Sequence, residues 1–198
     1  TEFIANMSHE IRHPISGIIG HAVALEDSPL DTKQAMAVNT IKSCGRLLEH
    51  LVSGVLDFAK IDAGRLELTE EPFAPAVLLQ NTVEIMRAAA SEAGCTLKLD
   101  TAAVDGLTCL GDSRRIQQIL MNLLTNAFKF APKTEVAVAA ERSGERTIRF
   151  KVCDRGPGLS LPERAKLFQR FTRLQAGRTA VPGSGLGLAL SRDLARRM

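Results

Sequence analysis

The chain of 198 residues lacks long apolar runs, paired cysteines and a strong excess of charge of either sign. No apolar run reaches the roughly 18–20 residues that a helix needs to cross a bilayer, and no signal peptide is visible. A net charge of only +3 gives no indication of binding to nucleic acid or to an anionic membrane. We therefore expect neither contact from this segment. Because it starts at Thr1 rather than at an initiator Met, we expect a piece of a longer protein.

The cysteines indicate a reducing compartment, because none of them forms a CxxC pair. Each is flanked by apolar or helical sequence, which is typical of a buried reduced thiol. We therefore expect a cytoplasmic location, either for the whole protein or for the cytoplasmic part of a larger membrane-bound one. The four residues are Cys44, Cys95, Cys109 and Cys153.

The first third of the chain carries apolar residues at heptad spacing, which predicts two long helices. The first seam consists of Ile4, Met7, Ile11, Pro14, Ile18, His21 and Leu25. The second seam, on a helix that ends near Asp62, consists of Ala37, Ile41, Cys44, Leu48, Leu51, Val55 and Phe58. Stripes this wide cannot be buried by two helices alone, so we expect two chains to form a four-helix bundle.

A linker near residues 63–72 separates this hairpin from a second domain, because Gly64 stops the helix and prolines follow. Beyond the linker the pattern mixes helices and strands. Helices are predicted at 74–93, at 112–130 and from 185 to the end of the chain. Strands are predicted at 96–99, 135–139 and 147–152, the last two pairing through Gly144. Residues 154–187 are predicted to form loops around a short helix.

His9 lies on the outer side of the first seam, with Glu10 beside it. An imidazole can attack a phosphorus atom through one ring nitrogen while a carboxylate holds the proton on the other. His13 makes an HxxxH pair that could bind Zn²⁺, although no further ligands present themselves. From these residues alone, a nucleophile and an ordinary surface histidine both remain open.

Polar residues form one stripe on the predicted helix 112–130, at Arg115, Asn122, Asn126 and Lys129. Asparagine is a poor helix former, so two in mid-helix add nothing to local stability. An amide oxygen suits Mg²⁺, and a lysine suits a phosphate. The alternative is an ordinary exposed polar face.

Two glycine-rich motifs suit a nucleotide, although ordinary turns would explain them as well. Asp154 follows a predicted strand and could accept a hydrogen bond from an adenine amino group, while Gly156 and Gly158 allow close approach of the backbone. The other motif, residues 183–187, opens the last helix, and helix starts bind phosphates readily. It lacks the Lys-Ser/Thr of a Walker A loop and does not follow a strand, as a Rossmann fingerprint would.

Six segments, in this order, resemble the sequence boxes of sensor histidine kinases. They are FIANMSHEIRHPISGIIG at 3–20 (phosphoacceptor box), LDFAKIDAGRLEL at 56–68 (exit of the second helix), GDSRRIQQILMNLLTNAFKF at 111–130 (asparagine box), DRGPG at 154–158 (first glycine box), LFQRF at 167–171 (phenylalanine box) and GSGLGLALS at 183–191 (second glycine box). The first is closest to the wording of hybrid kinases, which carry a receiver domain downstream.

The resemblance implies two domains and a reaction. Residues 1–65 would form a dimerisation and histidine phosphotransfer domain, and residues 73–198 a Bergerat-type α/β sandwich that binds ATP and Mg²⁺. The protein would phosphorylate itself on a histidine and pass the phosphoryl group to an aspartate of a response-regulator receiver domain, in the same chain or another. Because the chain stops where the family continues into a final pair of strands, the sandwich would be truncated, with an open edge.

The resemblance also implies a role for each matching residue. His9 would be the phosphoacceptor and Glu10 its general base. Asn126 would be the Mg²⁺ ligand, and Asn122 and Lys129 would contact phosphates. Asp154 would recognise adenine in a pocket shaped by Gly156 and Gly158. Gly183, Gly185 and Gly187 would border a mobile lid and receive phosphates, with Phe168 and Phe171 anchoring the near end of the lid. Arg115 and Arg173 are further candidates for phosphate contacts or domain docking.

One departure affects the reaction, and two other functions remain open. His13 stands where the family usually has Thr or Asn, which leaves the reverse, phosphatase reaction in question. The alternative function is a degenerate kinase that acts as a dimerising regulatory module, and titration with an ATP analogue discriminates it. A gyrase-like or chaperone ATPase is disfavoured, because those proteins need no such helix pair.

Overall fold

The computed structural model describes residues 2–145, 147–172 and 185–198. For helical residues 2–10, 12, 46–47 and 50–51 it describes the course of the backbone and not the side chains. The chain divides into two compact units, Thr1–Leu66 and Glu67–Met198. The first unit is a helical hairpin, and the second combines helices with two small sheets, which confirms the predicted fold class.

The hairpin consists of α1, Glu2–Glu26, and α2, Thr32–Asp62. Pro14 lies inside α1, which continues through it. A capping box opens α2, because Asp31 accepts a hydrogen bond from the Gln34 backbone while the Gln34 side chain accepts one from the Asp31 backbone, at 2.8 and 2.9 Å. Gly64 follows α2 with a φ of +67°, as its predicted role as a helix stop requires.

The two helices pack against each other through residues that neighbour the predicted heptad seams. Ile15, Ala22 and Val38 are buried, and Gly45 lets the helices approach, since a Cβ there would lie 2.6 Å from Ile19 Cγ1. Most described seam residues are exposed in the single chain, and His21 is exposed with them. The large apolar ones are Ile18, Leu25, Ile41, Leu48 and Val55. Of the seam, Phe58 is buried. The hairpin thus leaves an apolar face uncovered.

The strands of the second unit are β1, Glu71–Phe73; β2, Thr96–Asp100; β3, Cys109–Gly111; β4, Glu135–Arg142; and β5, Ile148–Cys153. The unit is built around a three-stranded sheet in which β2 runs parallel to β4, and β4 runs antiparallel to β5. A second, two-stranded sheet pairs β1 with β3. Gly144, with a φ of +111°, lies in the predicted β4–β5 hairpin. The helices are α3, Pro75–Glu92; α4, Ser113–Phe130; α5, Leu161–Lys166; and α6, Gly187–Ala195, with a 3₁₀ turn at Ala102–Val104.

The core of this unit lies between the sheet and the helices α3 and α4. Leu79 of α3, Leu120 and Leu124 of α4, and Val136 and Val138 of β4 are almost completely buried. Burial of apolar surface on this scale is the main stabilising contribution to such a unit. Helix α6 packs on α4, so the start of α6 is brought to the polar stripe.

Two details of the prediction are wrong. The sequence predicts a last helix that runs to the end of the chain, but α6 ends at Ala195. Its final turn tightens, because the Arg197 amide donates to the Leu194 carbonyl, as helix ends commonly do. The sequence also predicts buried cysteines, but Cys44 and Cys153 are exposed. Within the described ranges, no helix has both the length and the apolarity to cross a bilayer.

Asp112 joins the start of α4 to the chain that precedes β1. Its carboxylate is buried and caps α4, since Oδ1 accepts from the Arg115 amide at 3.0 Å. The other oxygen, Oδ2, accepts from the Thr69 amide at 3.1 Å. Two backbone donors therefore depend on one buried side chain.

Replacing Asp112 with alanine is expected to lower the free energy of unfolding by about 1–2 kcal/mol, because the cap is lost and the Thr69 amide loses its acceptor. Urea unfolding followed by far-ultraviolet circular dichroism measures this loss, since the chain has no Trp or Tyr for fluorescence. Asp105→Ala, at an exposed position, is the matched control. Equal losses in the two variants would contradict the capping role.

Candidate functional site

Helix α4 presents Asn122, Asn126 and Lys129 at spacings of four and three residues, which places them along one side of the helix. The two asparagines are half-buried, whereas the Lys129 side chain reaches the surface. Neighbouring atoms nevertheless remove part of its water, and this desolvation lowers the pKa of the Lys129 ammonium below its usual value. A phosphate beside it would supply the opposite charge that this partly dehydrated cation favours.

The side-chain amide of Asn126 makes no hydrogen bond to any residue in the described ranges. Its oxygen is a hard, uncharged ligand on a rigid helix, which fits Mg²⁺ when phosphates and water supply the remaining ligands. Arg115, at the start of the stripe, donates to Gln118 Oε1 at 2.8 Å. Arg115 is therefore engaged along its own helix.

Asn122 lies directly against the start of α6. Its Nδ2 donates to the Ser191 hydroxyl at 2.8 Å. A Cβ at Gly187 would overlap the Asn122 amide oxygen, so only glycine fits there. The asparagine-rich helix and the second glycine motif, far apart in the sequence, thus meet at one point.

Gly185 holds the backbone beside Phe171 and Thr172. Its φ is +69°, and a Cβ would lie 2.8 Å from the Phe171 carbonyl carbon and 2.9 Å from the Thr172 nitrogen. The Phe171 amide donates to the Gly185 carbonyl at 3.0 Å. The two ends of the intervening stretch are therefore joined. Arg173 and Gly183, which the resemblance assigns to nucleotide binding, lie outside the described residues.

The two phenylalanines of the predicted lid anchor are not core residues. Phe171 is 70% exposed and has an unusual φ of +60°. Phe168 is partly exposed, and the Arg192 guanidinium of α6 lies 5.6 Å from its ring centre. The distance is that of a cation–π contact. Phe168 therefore contacts the last helix rather than the core of the sheet.

Asp154 follows β5 at the surface, where it shapes a tight turn. One of its carboxylate oxygens accepts from the Gly156 amide at 2.8 Å. A Cβ at Gly156 would lie 2.8 Å from that oxygen and 3.3 Å from the Phe130 carbonyl, whereas one at Gly158 would meet open space. The turn thus lies beside the end of α4, close in sequence to Lys129. The second carboxylate oxygen of Asp154 can accept a hydrogen bond from a ligand.

His9 and Glu10 lie on α1, whose backbone course is described there while the side chains are not. His13, one turn further on, is exposed. The part of the chain that the structure describes contains no cluster of three His, Cys, Asp or Glu residues placed to hold a metal. Because the His9 side chain lies outside that part, the HxxxH pair stays a hypothesis.

Ser191 and Asp112 lie within the quoted boxes, but the resemblance assigns neither of them a role, although both are buried polar residues that connect elements of the fold. The one available signal for Ser191 is a serine among the apolar residues of a short helix. For Asp112 it is the position just before a strongly amphipathic helix, which is typical of a cap.

Family models match both units of the chain. The His Kinase A (phospho-acceptor) domain matches residues 1–64, and the histidine kinase-, DNA gyrase B- and HSP90-like ATPase matches residues 111–198. The chain belongs to the histidine kinase family. Its second unit is accordingly a Bergerat-type α/β ATPase domain.

Named relatives and a solved structure agree with this assignment. The sensor protein TorS of Escherichia coli (strain K12) is 36% identical over 200 residues, which cover 99% of this chain and 21% of TorS. The hybrid signal transduction histidine kinase K of Dictyostelium discoideum is 36% identical over 210 residues, covering 100% of this chain and 17% of that protein. The crystal structure of full-length ShkA in complex with AMPPNP is 34% identical with a TM-score of 0.78, covering 100% of this chain and 41% of ShkA. The chain thus spans about a fifth of the curated relatives.

Proposed function

We propose that this chain is the catalytic core of a sensor histidine kinase that transfers the γ-phosphoryl group of ATP to His9. The observation that carries the proposal is the junction of α4 with α6. It brings Asn122, in the row with Asn126 and Lys129, against Gly187 at the start of a helix. A polyphosphate would find hydrogen-bond donors in the side-chain amides and at the start of α6, and a positive charge in the Lys129 ammonium.

The proposed site divides the nucleotide among three groups of residues. Asp154 accepts a hydrogen bond from the adenine amino group at the turn shaped by Gly156 and Gly158. Lys129 and Asn122 contact phosphates. Gly183, Gly185 and Gly187 complete the phosphate end, and Arg173 is a further candidate there. The crystal structure of ShkA, a relative of this chain, is of a complex with AMPPNP, which supports the binding of a nucleotide as such.

Mg²⁺ fits this site through Asn126, whose amide oxygen is free of partners among the described residues. The ion would neutralise charge on the phosphates and favour departure of the leaving group. The residues of the chain orient the γ-phosphate towards the attacking nitrogen and add positive charge beside it. Positioning and charge neutralisation account for most of the catalysis in phosphoryl transfer.

His9 performs the chemical step. One ring nitrogen forms a bond to the γ-phosphorus as the bond from phosphorus to the β–γ bridging oxygen breaks, and ADP leaves. Glu10 holds the proton on the other ring nitrogen, which makes the imidazole a better nucleophile. In the second step an aspartate of a receiver domain takes the phosphoryl group, and His9 is regenerated.

The two proposed domains divide these tasks. Residues 1–65 form a dimerisation and histidine phosphotransfer domain, and residues 73–198 form the catalytic domain. The apolar face left uncovered on the hairpin supports a homodimer, in which two hairpins bury their seams in a four-helix bundle. We place this segment in the cytoplasm, where ATP and response regulators are found. The proposal does not include phosphatase activity, because His13 stands where the family usually has Thr or Asn.

Incubation with ATP labelled at the γ-phosphorus is expected to label the protein, and the label should be lost in acid and kept in alkali. A phosphorus–nitrogen bond behaves in this way, whereas a serine or threonine phosphate is stable in acid. ATP labelled at the α-phosphorus is the control and should leave no label. Acid-stable label, or none with Mg²⁺ present, would contradict the proposal.

A further inference from the structure

We propose that Ser191 positions the Asn122 amide for nucleotide binding, so that α6 sets the geometry of the phosphate-binding side of α4. This inference rests on the proposed function for its effect on ATP. The hydrogen bond between Asn122 and Ser191 is present in the protein without nucleotide. Ser191 is a positioning residue here, because it acts through Asn122.

Ser191 is buried, with 7% of its surface exposed, and it lies on the side of α6 that carries Leu190 and Leu194. A hydroxyl in such surroundings requires a hydrogen-bond partner. Its partner is Asn122 Nδ2, at 2.8 Å. The bond joins residues 69 positions apart, so it holds α6 on α4 as well as satisfying both groups.

Asn122 is restrained at both ends of its amide. The nitrogen donates to Ser191, and the oxygen lies so close to Gly187 that no Cβ would fit there. An amide nitrogen carries two hydrogens, and the bond to Ser191 uses one. The other remains to donate to a phosphate, in a direction that Ser191 and Gly187 determine. Without the serine hydroxyl the amide can rotate, and this donor is no longer aimed.

Asn126 provides the contrast on the same helix. Its amide makes no hydrogen bond within the described ranges, so its position depends on α4 alone. Loss of Ser191 should therefore weaken phosphate contact through Asn122 and leave the contribution of Asn126 intact. This predicts weaker ATP binding with a nearly unchanged rate at saturating ATP.

Ser191→Ala is expected to raise the KM for ATP about tenfold with little change in kcat, as the loss of one aimed hydrogen bond would do. Ser191→Thr, which keeps a hydroxyl, should recover most of the affinity. Asn122→Ala should raise KM similarly, and the double variant should match Asn122→Ala rather than multiply the two effects. Ser91→Ala, at an exposed position on α3, is the control.

The side-chain amide resonances of Asn122, followed by NMR without nucleotide, provide a readout that does not depend on ATP. Ser191→Ala should shift these resonances and speed their hydrogen exchange, whereas Ser91→Ala should not. Unchanged Asn122 resonances in folded Ser191→Ala would overturn the inference, as would multiplicative effects in the double variant. Failure of the wild-type protein to bind ATP would instead contradict the proposed function. If Ser191→Ala fails to fold, Ser191→Cys, which keeps the size of the side chain and replaces the hydroxyl with a much weaker acceptor, takes its place in both measurements with the same expected results.

Discussion

Replacing Asn126 with alanine is expected to slow autophosphorylation by on the order of 10²-fold or more, the effect typical of losing a preorganised group that stabilises transition-state charge. Asn126 is the one stripe residue whose amide is free of partners in the described part of the chain, and it is half-buried on the helix that organises the site. Its removal would take an oxygen ligand from Mg²⁺ and let the γ-phosphate lose its alignment with the attacking nitrogen.

Two measurements separate this effect from a loss of folding. Far-ultraviolet circular dichroism should give Asn126→Ala nearly the wild-type unfolding midpoint, because its amide makes no hydrogen bond to the described residues. Titration with an ATP analogue should show that Mg²⁺ strengthens binding to the wild-type protein and much less to the variant. Asn81→Ala, at an exposed position on α3, serves as the matched control. A labelling rate within twofold of wild type would rule out Asn126 as the metal ligand.

Gly185→Ala is expected to weaken binding of an ATP analogue at least tenfold. The new Cβ would approach backbone atoms of Phe171 and Thr172 at 2.8–2.9 Å, and backbone cannot rotate away as a side chain can. The amide of Phe171 also donates to the Gly185 carbonyl, so relief of the clash would break this bond and displace the start of α6. The phosphate end of the site would lose its shape.

Gly106 supplies a matched control, because it has the same φ of +69° and a Cβ added there would meet open space. Alanine at either position costs about 1–2 kcal/mol of left-handed backbone strain. The clash is confined to Gly185. Gly106→Ala should therefore lose stability and keep nucleotide affinity, while Gly185→Ala loses both. Equal affinities in the two variants would show that the contact with Phe171 has no bearing on the site.

The periodic elements of the fold can be predicted because their signals are local. Helix α4 carries apolar and polar residues at helical spacing, and it spans Ser113–Phe130, one residue shorter than the predicted 112–130 because Asp112 is its cap. The β4–β5 hairpin follows from two alternating strands around Gly144. The end of α6 cannot be predicted in this way, because its last turn is decided by backbone bonds to Leu194 that no side-chain pattern encodes.

The hairpin shows where periodicity alone is insufficient. Heptad spacing correctly indicates two apolar faces, but it does not say which face the partner helix in the same chain covers. The structure buries Ile15 and Ala22 and leaves Ile18 and Leu25 exposed. Ile15 and Ala22 lie beside the predicted seam rather than in it, so only the tertiary arrangement shows which residues the partner helix covers.

The residues of the candidate site can be predicted from sequence, whereas the connections between them cannot. Asn122 and Gly187 each belong to a motif, yet their contact and the bond to Ser191 are tertiary features without any sequence period. The hydrogen bond from the Phe171 amide to the Gly185 carbonyl is likewise a tertiary feature that no motif encodes. Motifs therefore indicate candidate residues, whereas packing decides how each side chain is held.

Locating the phosphorylated histidine is the most direct test of the central claim, which is that His9 receives phosphate from ATP. Wild-type protein, His9→Gln and the neighbouring His13→Gln are incubated with γ-labelled ATP, and acid-labile label is measured. The claim predicts full label in the wild-type protein, substantial label in His13→Gln and none in His9→Gln, with all three binding an ATP analogue equally. Acid-labile label that persists in His9→Gln would contradict it.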